Sequence, residues 1–379
     1  MNNSSTTFIT ADNNPDSPYR VISEMPVVYV CLLNWNGWRD TIECLESLLK
    51  LNFPSCRVMV CDNGSTDESC EQLSSWFASH SMTLYGVPES SASQGEPFLD
   101  ITREQLELTD LQDQRFVLIR NGLNLGFAAG NNVGLRFALR QADCDFVWLL
   151  NNDTVVEPNA LQALVDKLQS NPDMGSCGSR LVFYYSQDRI QALGGGVYNP
   201  WFALASHVGE HMSVVDSEKL EEFRIDYPCA ASMLISRRFL EEVGLMSEDY
   251  FLYFEELDWM RRAGRKFRTG YAPGSKVFHK EGQSIGSDGR AAGRSVLSDY
   301  YLTRSRFVFT RKYHPYALPT LSVWLVVMML ARIARHGFGD GRFRANLILG
   351  AALDGLIGRF RQVSLSKDKP ATEHLLEQR

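Results

Sequence analysis

None of the eight cysteines forms a C-x-x-C pair, so the sequence has neither a zinc ribbon nor a dithiol redox motif. Several sit inside apolar runs, Cys31 in Val-Tyr-Val-Cys-Leu-Leu for example, as buried free thiols of a reducing cytosol do. Positive charge is also short. Lys and Arg number 38 against 45 Asp and Glu, and the net charge of -7 is the wrong sign for a general nucleic-acid binder. Residues 1–24 lack the basic and apolar regions of a secretory signal, and their Asn, Ser and Thr read as a disordered tail. The longest apolar run, Leu321 to Ala331, is short of the ~20 residues that span a bilayer. There is no G-x-G-x-x-G, no Q-x-x-R-W type motif and no internal repeat. These absences argue against a dinucleotide fold and against a processive polysaccharide synthase with several spans.

What is present is the composition of a globular enzyme, 44% hydrophobic and 22% charged over 379 residues. Val27 to Leu33 and Arg57 to Cys61 are continuous apolar runs, as in strands buried on both faces. Helical patterns follow each, over about 38–51 and 68–78. The rhythm resumes with a strand at Arg115 to Arg120, a helix from Phe127 to Arg140, a strand at Asp145 to Leu150 and a helix from Glu157 to Leu168. This alternation predicts an α/β fold with function at the carboxyl ends of the strands. Between them, residues 80–115 break the pattern and read as a solvated insertion. The second half is less regular, with a small-residue strand at Tyr227 to Ser236, a helix start near Tyr250 and short strands from Phe267 to His279.

Beyond about residue 290 the character changes. From Arg304 to Arg361 there are ten basic and only two acidic residues, a local +8 in an acidic chain, around the apolar run. Apolar sequence laced with arginine fits a helical region lying on a membrane surface. A solvated basic subdomain is the alternative.

Three motifs stand at the predicted strand ends and helix starts: Asp62-Asn-Gly-Ser-Thr-Asp67, Asn124-Leu-Gly-Phe-Ala-Ala-Gly-Asn-Asn132 and Tyr253-Phe-Glu-Glu-Leu-Asp258. With Asn151-Asn152-Asp153 they make the stretch from about Pro26 to Gly286 resemble glycosyltransferase family 2, and within it the rhamnosyltransferases of bacterial surface polysaccharides. The resemblance implies a glycosyltransferase A-type fold, a mixed, mostly parallel sheet flanked by helices, over residues 25–290. It also implies inversion at the anomeric carbon and a divalent cation, Mn2+ or Mg2+. Residues 291–379 form the C-terminal membrane-associating region.

Physical chemistry gives each motif a task. Asp62, with Asn34 closing the preceding strand, can accept the N3–H of a uracil or thymine ring. Asn63, Asn124 and Asn152 join them as nucleotide-binding candidates. The glycine turn Asn121 to Gly126 opens a helix whose N-terminus favours anions. Asn151-Asn152-Asp153 matches the D-x-D type motif with a weak neutral ligand first, so Asp153 carries most of any metal binding, and His279 matches the family's late histidine ligand. Oxygen and imidazole donors suit manganese or magnesium. Glu256 is the expected general base, with Asp258 in reserve, because a sugar hydroxyl needs deprotonation and no Ser-His or Cys-His pair is apparent.

The sequence therefore predicts an inverting, metal-dependent glycosyltransferase. Its donor is a nucleotide-diphosphate sugar, dTDP-rhamnose or a UDP-sugar, and its acceptor a saccharide or lipid-linked saccharide. It is expected at the inner face of the cytoplasmic membrane, with no nucleic-acid partner. The alternatives are a noncatalytic nucleotide-sugar-binding protein and a sugar nucleotidyltransferase. The latter should carry a basic glycine-rich N-terminal loop, which Leu-Leu-Asn-Trp-Asn-Gly is not.

Overall fold

The computed structural model describes residues 25–85, 98–106, 115–220, 223–280 and 295–359. The expected tail, residues 86–97 and 107–114 of the expected insertion, and everything after 359 lie outside them. The elements run β1 (Val27–Asn34), α1 (Trp38–Leu48), β2 (Cys56–Asp62), α2 (Ser69–Tyr85), β3 (Leu99–Thr102), α3 (Arg103–Leu106), β4 (Phe116–Arg120), α4 (Gly126–Arg140), β5 (Cys144–Asn151), β6 (Thr154–Val156) and α5 (Ala160–Gln169). Then come β7 (Met174–Phe183), β8 (Ser186–Leu193), β9 (Gly195–Asn199), β10 (Leu204–His207), α6 (Val214–Ser217), β11 (Tyr227–Pro228), β12 (Ser232–Ser236), α7 (Arg237–Val243), α8 (Glu255–Ala263), β13 (Arg268–His279), α9 (Val296–Tyr313) and α10 (Leu318–Ile357).

The main sheet has the order β3-β4-β2-β1-β5-β12-β7-β13-β6, with β8 beside β7. The first five strands are parallel, and β12 enters antiparallel between β5 and β7. A mixed, mostly parallel sheet flanked by helices is the predicted class. Alternate residues of β1 supply both cores. Val28, Val30 and Leu32 pack with α1, α2 and α5, while Tyr29 and Cys31 pack with α4, α7 and α8. Burial on both faces is why the strand reads as a continuous apolar run.

Two readings of the sequence need correction. Part of the supposed insertion belongs to the sheet: Leu99–Thr102 is its edge strand, parallel to β4, with Ile101 and Leu106 buried. The strand was missed because four residues are too few to show a period. The apolar run Leu321 to Ala331 is also not an isolated short segment. It lies in a 21-residue stretch, Pro315–Arg335, long and apolar enough to cross a membrane by length and composition. The helix turns at Gly337, whose φ of 77° is the left-handed region open to glycine. Its two halves are drawn together by Asp299 of α9, which pairs with Arg332 from one half and Arg344 from the other.

Candidate active site

The parallel strands bring Asn34, Asp62 and Asn151 to one edge of the sheet, with Asn121 just past the end of β4. The chain steps from β1 outward to β2 and β4, then returns to place β5 on the other flank of β1. That reversal opens a crevice at the carboxyl ends, where ligands bind in open α/β sheets.

The nucleotide candidates form a buried polar network. The Asn34 amide donates to Asp62 Oδ1 at 2.8 Å, and its own oxygen accepts from Thr41 at 2.8 Å. Ser65 donates to Asp62 through its hydroxyl and backbone N–H, at 2.6 and 3.1 Å. Asn152 donates to Thr41 at 2.9 Å. Asn63 donates to Asn124 at 3.0 Å and accepts from Leu125 N–H at 3.1 Å, tying the β2–α2 turn to the turn before α4. These turns approach so closely that a Cβ on Gly64 would lie 2.5 Å from the Leu123 backbone. Asn34, Asp62 and Asn152 are thus brought together in one buried network through Thr41, while the buried Asn63 side chain bonds instead to Asn124 and Leu125. Asn124 is half-buried at the rim, accepting from Gly126 N–H at 2.9 Å in the turn that opens α4.

On the other flank of β1 stand Asp153 and His279. Strand β13 delivers His279 by pairing with Thr154 of β6. His279 Nδ1 meets Gln191 Oε1 at 2.8 Å, and Nε2 faces Asp153 Oδ1 at 3.1 Å. An amide oxygen only accepts, so Gln191 holds the proton on Nδ1 and turns Nε2 toward the carboxylate. Between Nε2 and Oδ1 a proton or a cation is required. Two adjacent ligands of an octahedral ion at about 2.1 Å stand roughly 3 Å apart, so the pair fits such an ion. Among the described residues no third His, Cys, Asp or Glu joins them. Burial alone would raise the Asp153 carboxyl, but the charges of His279 and Lys280 outweigh it and hold it below the usual carboxylate range. Lys280 is itself buried against Asp40 and Glu43 of α1.

The acidic cluster opens α8, and its three members have different fates. Asp258 is fully buried: Oδ1 accepts from Arg262 at 2.8 Å, and Oδ2 accepts from Lys312 at 2.8 Å, Tyr313 at 2.9 Å and Tyr250 at 3.1 Å. Those cations overcome its burial and lower its pKa. Glu255 is buried with Oε1 unpartnered, and burial beside Glu256 raises its pKa well above normal. Glu256 is half-buried, also raised by burial, and accepts from Ala230 N–H at 3.3 Å. The next residue, Ala231, accepts from Asn151 N–H at 3.1 Å. Two alanines therefore connect the acid cluster to the Asn151–Asp153 turn, and their small side chains permit the approach. Tyr253 and Phe254, just before α8, both have left-handed backbone, φ 69° and 73°. Such strain costs on the order of 1–3 kcal/mol per residue and persists only where packing enforces it. Here Phe254 is held by Tyr198 and Phe309, and Tyr253 by Ser298.

Asp258 ties α8 to α9. Its lowered pKa means this stabilisation is complete above the ordinary carboxylate range and is lost as pH falls through the lowered folded value. Asp258→Asn should cost roughly 3 kcal/mol at neutral pH, the low end for breaking a buried pair, and less in acid. Thermal unfolding at both pH values measures this, and an equal loss at both would contradict it.

Sequence reasoning missed Gln191, which lies in an irregular stretch without a motif, and Lys280, whose partners are about 240 residues away. Thr41 and Ser65 were invisible because their roles exist only once the loops meet.

Residues 98–243 match the family model for glycosyl transferase family 2. The low-salt glycan biosynthesis hexosyltransferase Agl10 of Haloferax volcanii is 24% identical over 226 residues, 56% of this chain and 68% of that protein. The N-acetylglucosaminyl-diphospho-decaprenol L-rhamnosyltransferase of Mycobacterium tuberculosis is 24% identical over 196 residues, 45% of this chain and 61% of that protein. Among solved structures, the mannosyltransferase PcManGT of Pyrobaculum calidifontis, in complex with GDP-Man and Mn2+, overlays with a TM-score of 0.47 at 14% identity, covering 90% of this chain and 91% of that one.

Proposed function

From the match of residues 98–243 to glycosyl transferase family 2, we propose that this chain is an inverting transferase acting on a nucleotide-diphosphate sugar, with Glu256 as general base and Asp153 and His279 as its metal-binding side chains. The observation that carries this is the link Glu256–Ala230–Ala231–Asn151, which joins the only half-exposed acid of the cluster to the turn bearing Asp153.

In the reaction, Glu256 takes the proton from an acceptor hydroxyl. The oxygen attacks the anomeric carbon from the face opposite the diphosphate. The bond from that carbon to the phosphate oxygen breaks, and the nucleoside diphosphate leaves with the electron pair. A divalent cation, when bound, would neutralise the charge developing on the diphosphate. Asp153 and His279 would hold it, with Gln191 fixing the imidazole. Asp258 serves α8 as an anchor, since a carboxylate bonded to four donors is a poor proton acceptor.

We assign the base of the donor to Asp62, whose Oδ2 keeps a lone pair beyond the Ser65 bond, and hence a pyrimidine nucleotide, dTDP or UDP. The sugar we assign is rhamnose and the acceptor lipid-linked, in surface polysaccharide synthesis at the cytoplasmic membrane face. The M. tuberculosis relative, an L-rhamnosyltransferase for N-acetylglucosaminyl-diphospho-decaprenol, supports these assignments. The assignment predicts that dTDP or UDP binds more tightly than GDP. Calorimetry with dTDP, UDP and GDP in manganese tests it, and tighter binding of GDP refutes the base assignment.

A further inference from the structure

Fifteen large apolar side chains are exposed among the described residues, and ten of them gather on one region. Val323, Val326, Val327 and Leu330 form a stripe at helical spacing on the first half of α10, and Leu349, Leu353 and Ile357 form another on the second half. The remaining three are aromatic: Tyr316, before α10, and Trp201 and Phe202, in the turn between β9 and β10 more than 100 residues earlier. That turn is fastened to the helix. The Trp201 and Tyr316 rings lie 5.1 Å apart, Phe202 meets Trp324 at 6.3 Å, and Thr320 donates to the Trp201 carbonyl. Ala203, which ends the turn, accepts from Arg306 of α9 at 3.1 Å.

We propose that the Trp201-Phe202 turn and the outer stripes of α10 form one face that seats on an anionic lipid bilayer, the aromatic turn at the headgroup level. This deepens, and rests on, the membrane placement proposed above. A contiguous apolar patch of this kind marks an interaction surface, and Trp with Tyr at one end is the composition of a headgroup belt. Charge selects the occupant. Arg335, Arg342 and Arg359 are exposed on or just after α10, while Asp299 of α9 and Asp354 of α10 are buried and bonded. Two copies of this face would set like charges together, whereas anionic lipid complements them. The seat also lies beside the chemistry. Tyr198, three residues before Trp201, packs on Phe254, which immediately precedes Glu255 and Glu256. A bilayer on this face would bring an acceptor headgroup to the half-exposed base.

The test is flotation of the full chain with phosphatidylglycerol and with phosphatidylcholine vesicles. The native chain floats with the anionic vesicles. Trp201→Ser with Phe202→Ser, and separately Val323→Ser with Val327→Ser and Leu330→Ser, each weaken partitioning by about tenfold or more while UDP binding and thermal unfolding stay native, because apolar insertion is lost. Brominated lipid quenches the native tryptophan emission more than that of Trp201→Phe. No flotation of the native chain removes the membrane placement altogether. Native flotation with an undiminished turn variant and no Trp201 quenching keeps the placement and overturns the composite face. A dimer dispersed by these substitutions also overturns it, giving the face to a second copy.

Discussion

Glu256→Gln is expected to lower kcat by about 10²–10⁴-fold, the usual cost of removing a general base. The amide keeps the shape and can no longer take a proton, so donor binding should remain near native. The choice among three acids follows from their surroundings. Glu255 is buried with one carboxylate oxygen unpartnered, and that burial beside Glu256 pushes it well toward its neutral form. Asp258 is ionised but spent on Lys312, Arg262 and two tyrosines. Glu256 keeps surface exposure, and its raised pKa makes it a stronger base than an ordinary glutamate. The acid form is inactive, so kcat should rise with pH along a limb displaced above the normal Glu value, and that limb should vanish in Glu256→Gln. Single-turnover kinetics across pH with saturating donor measure both. Native turnover in Glu256→Gln, together with a folded but inactive Asp258→Asn, would give the base to Asp258.

The sheet was legible because both-faced burial leaves continuous apolar runs, and each of β1, β2, β4 and β5 falls within a residue or two of its predicted range. The motif residues were legible for a related reason. Asn34, Asp62 and Asn151 follow or end apolar runs, where the chain must leave the sheet and polar groups can meet a ligand. Chemical specificity within the site was not legible. The reading of Asn34, Asp62, Asn63 and Asn152 as ligand contacts anticipated their convergence but not their bonds to Thr41 and Asn124, because those depend on how the loops meet. Nor could sequence separate Glu255 from Glu256 by environment, since both occupy the first turn of the same helix. What divides them is a backbone N–H from Ala230 and a pair of left-handed residues ahead of α8. Gln191 was hidden for want of any local pattern: its importance lies wholly in facing His279 from β8, 88 residues away.

Asp153→Ala should abolish turnover, and the loss should be visible without any turnover. In the native chain, manganese affinity measured by electron paramagnetic resonance should rise when UDP is added, because two protein side chains make an incomplete shell and phosphate oxygens complete it. Among the described residues Asp153 is the one carboxylate facing His279 Nε2, and it holds its ionised form despite nearly complete burial. Removing it leaves His279 beside Asn151, whose amide nitrogen, 3.4 Å from Nε2, has no lone pair to offer a cation. Asp153→Ala should therefore lose the UDP-dependent gain in manganese affinity. Gln191→Leu probes the same site one step removed. It leaves both ligands in place but frees the imidazole to rotate and to move its proton to Nε2, closing the lone pair. Loss of such an orienting partner typically weakens metal binding by about 10–100-fold. The nitrogen-15 shifts of the His279 ring, read with diamagnetic Mg2+ and UDP present, should then change from the Nδ1-protonated form to a mixture. Native activity of Asp153→Ala and His279→Ala in excess chelator would refute the metal role, and an unchanged His279 tautomer in Gln191→Leu would refute the positioning role of Gln191.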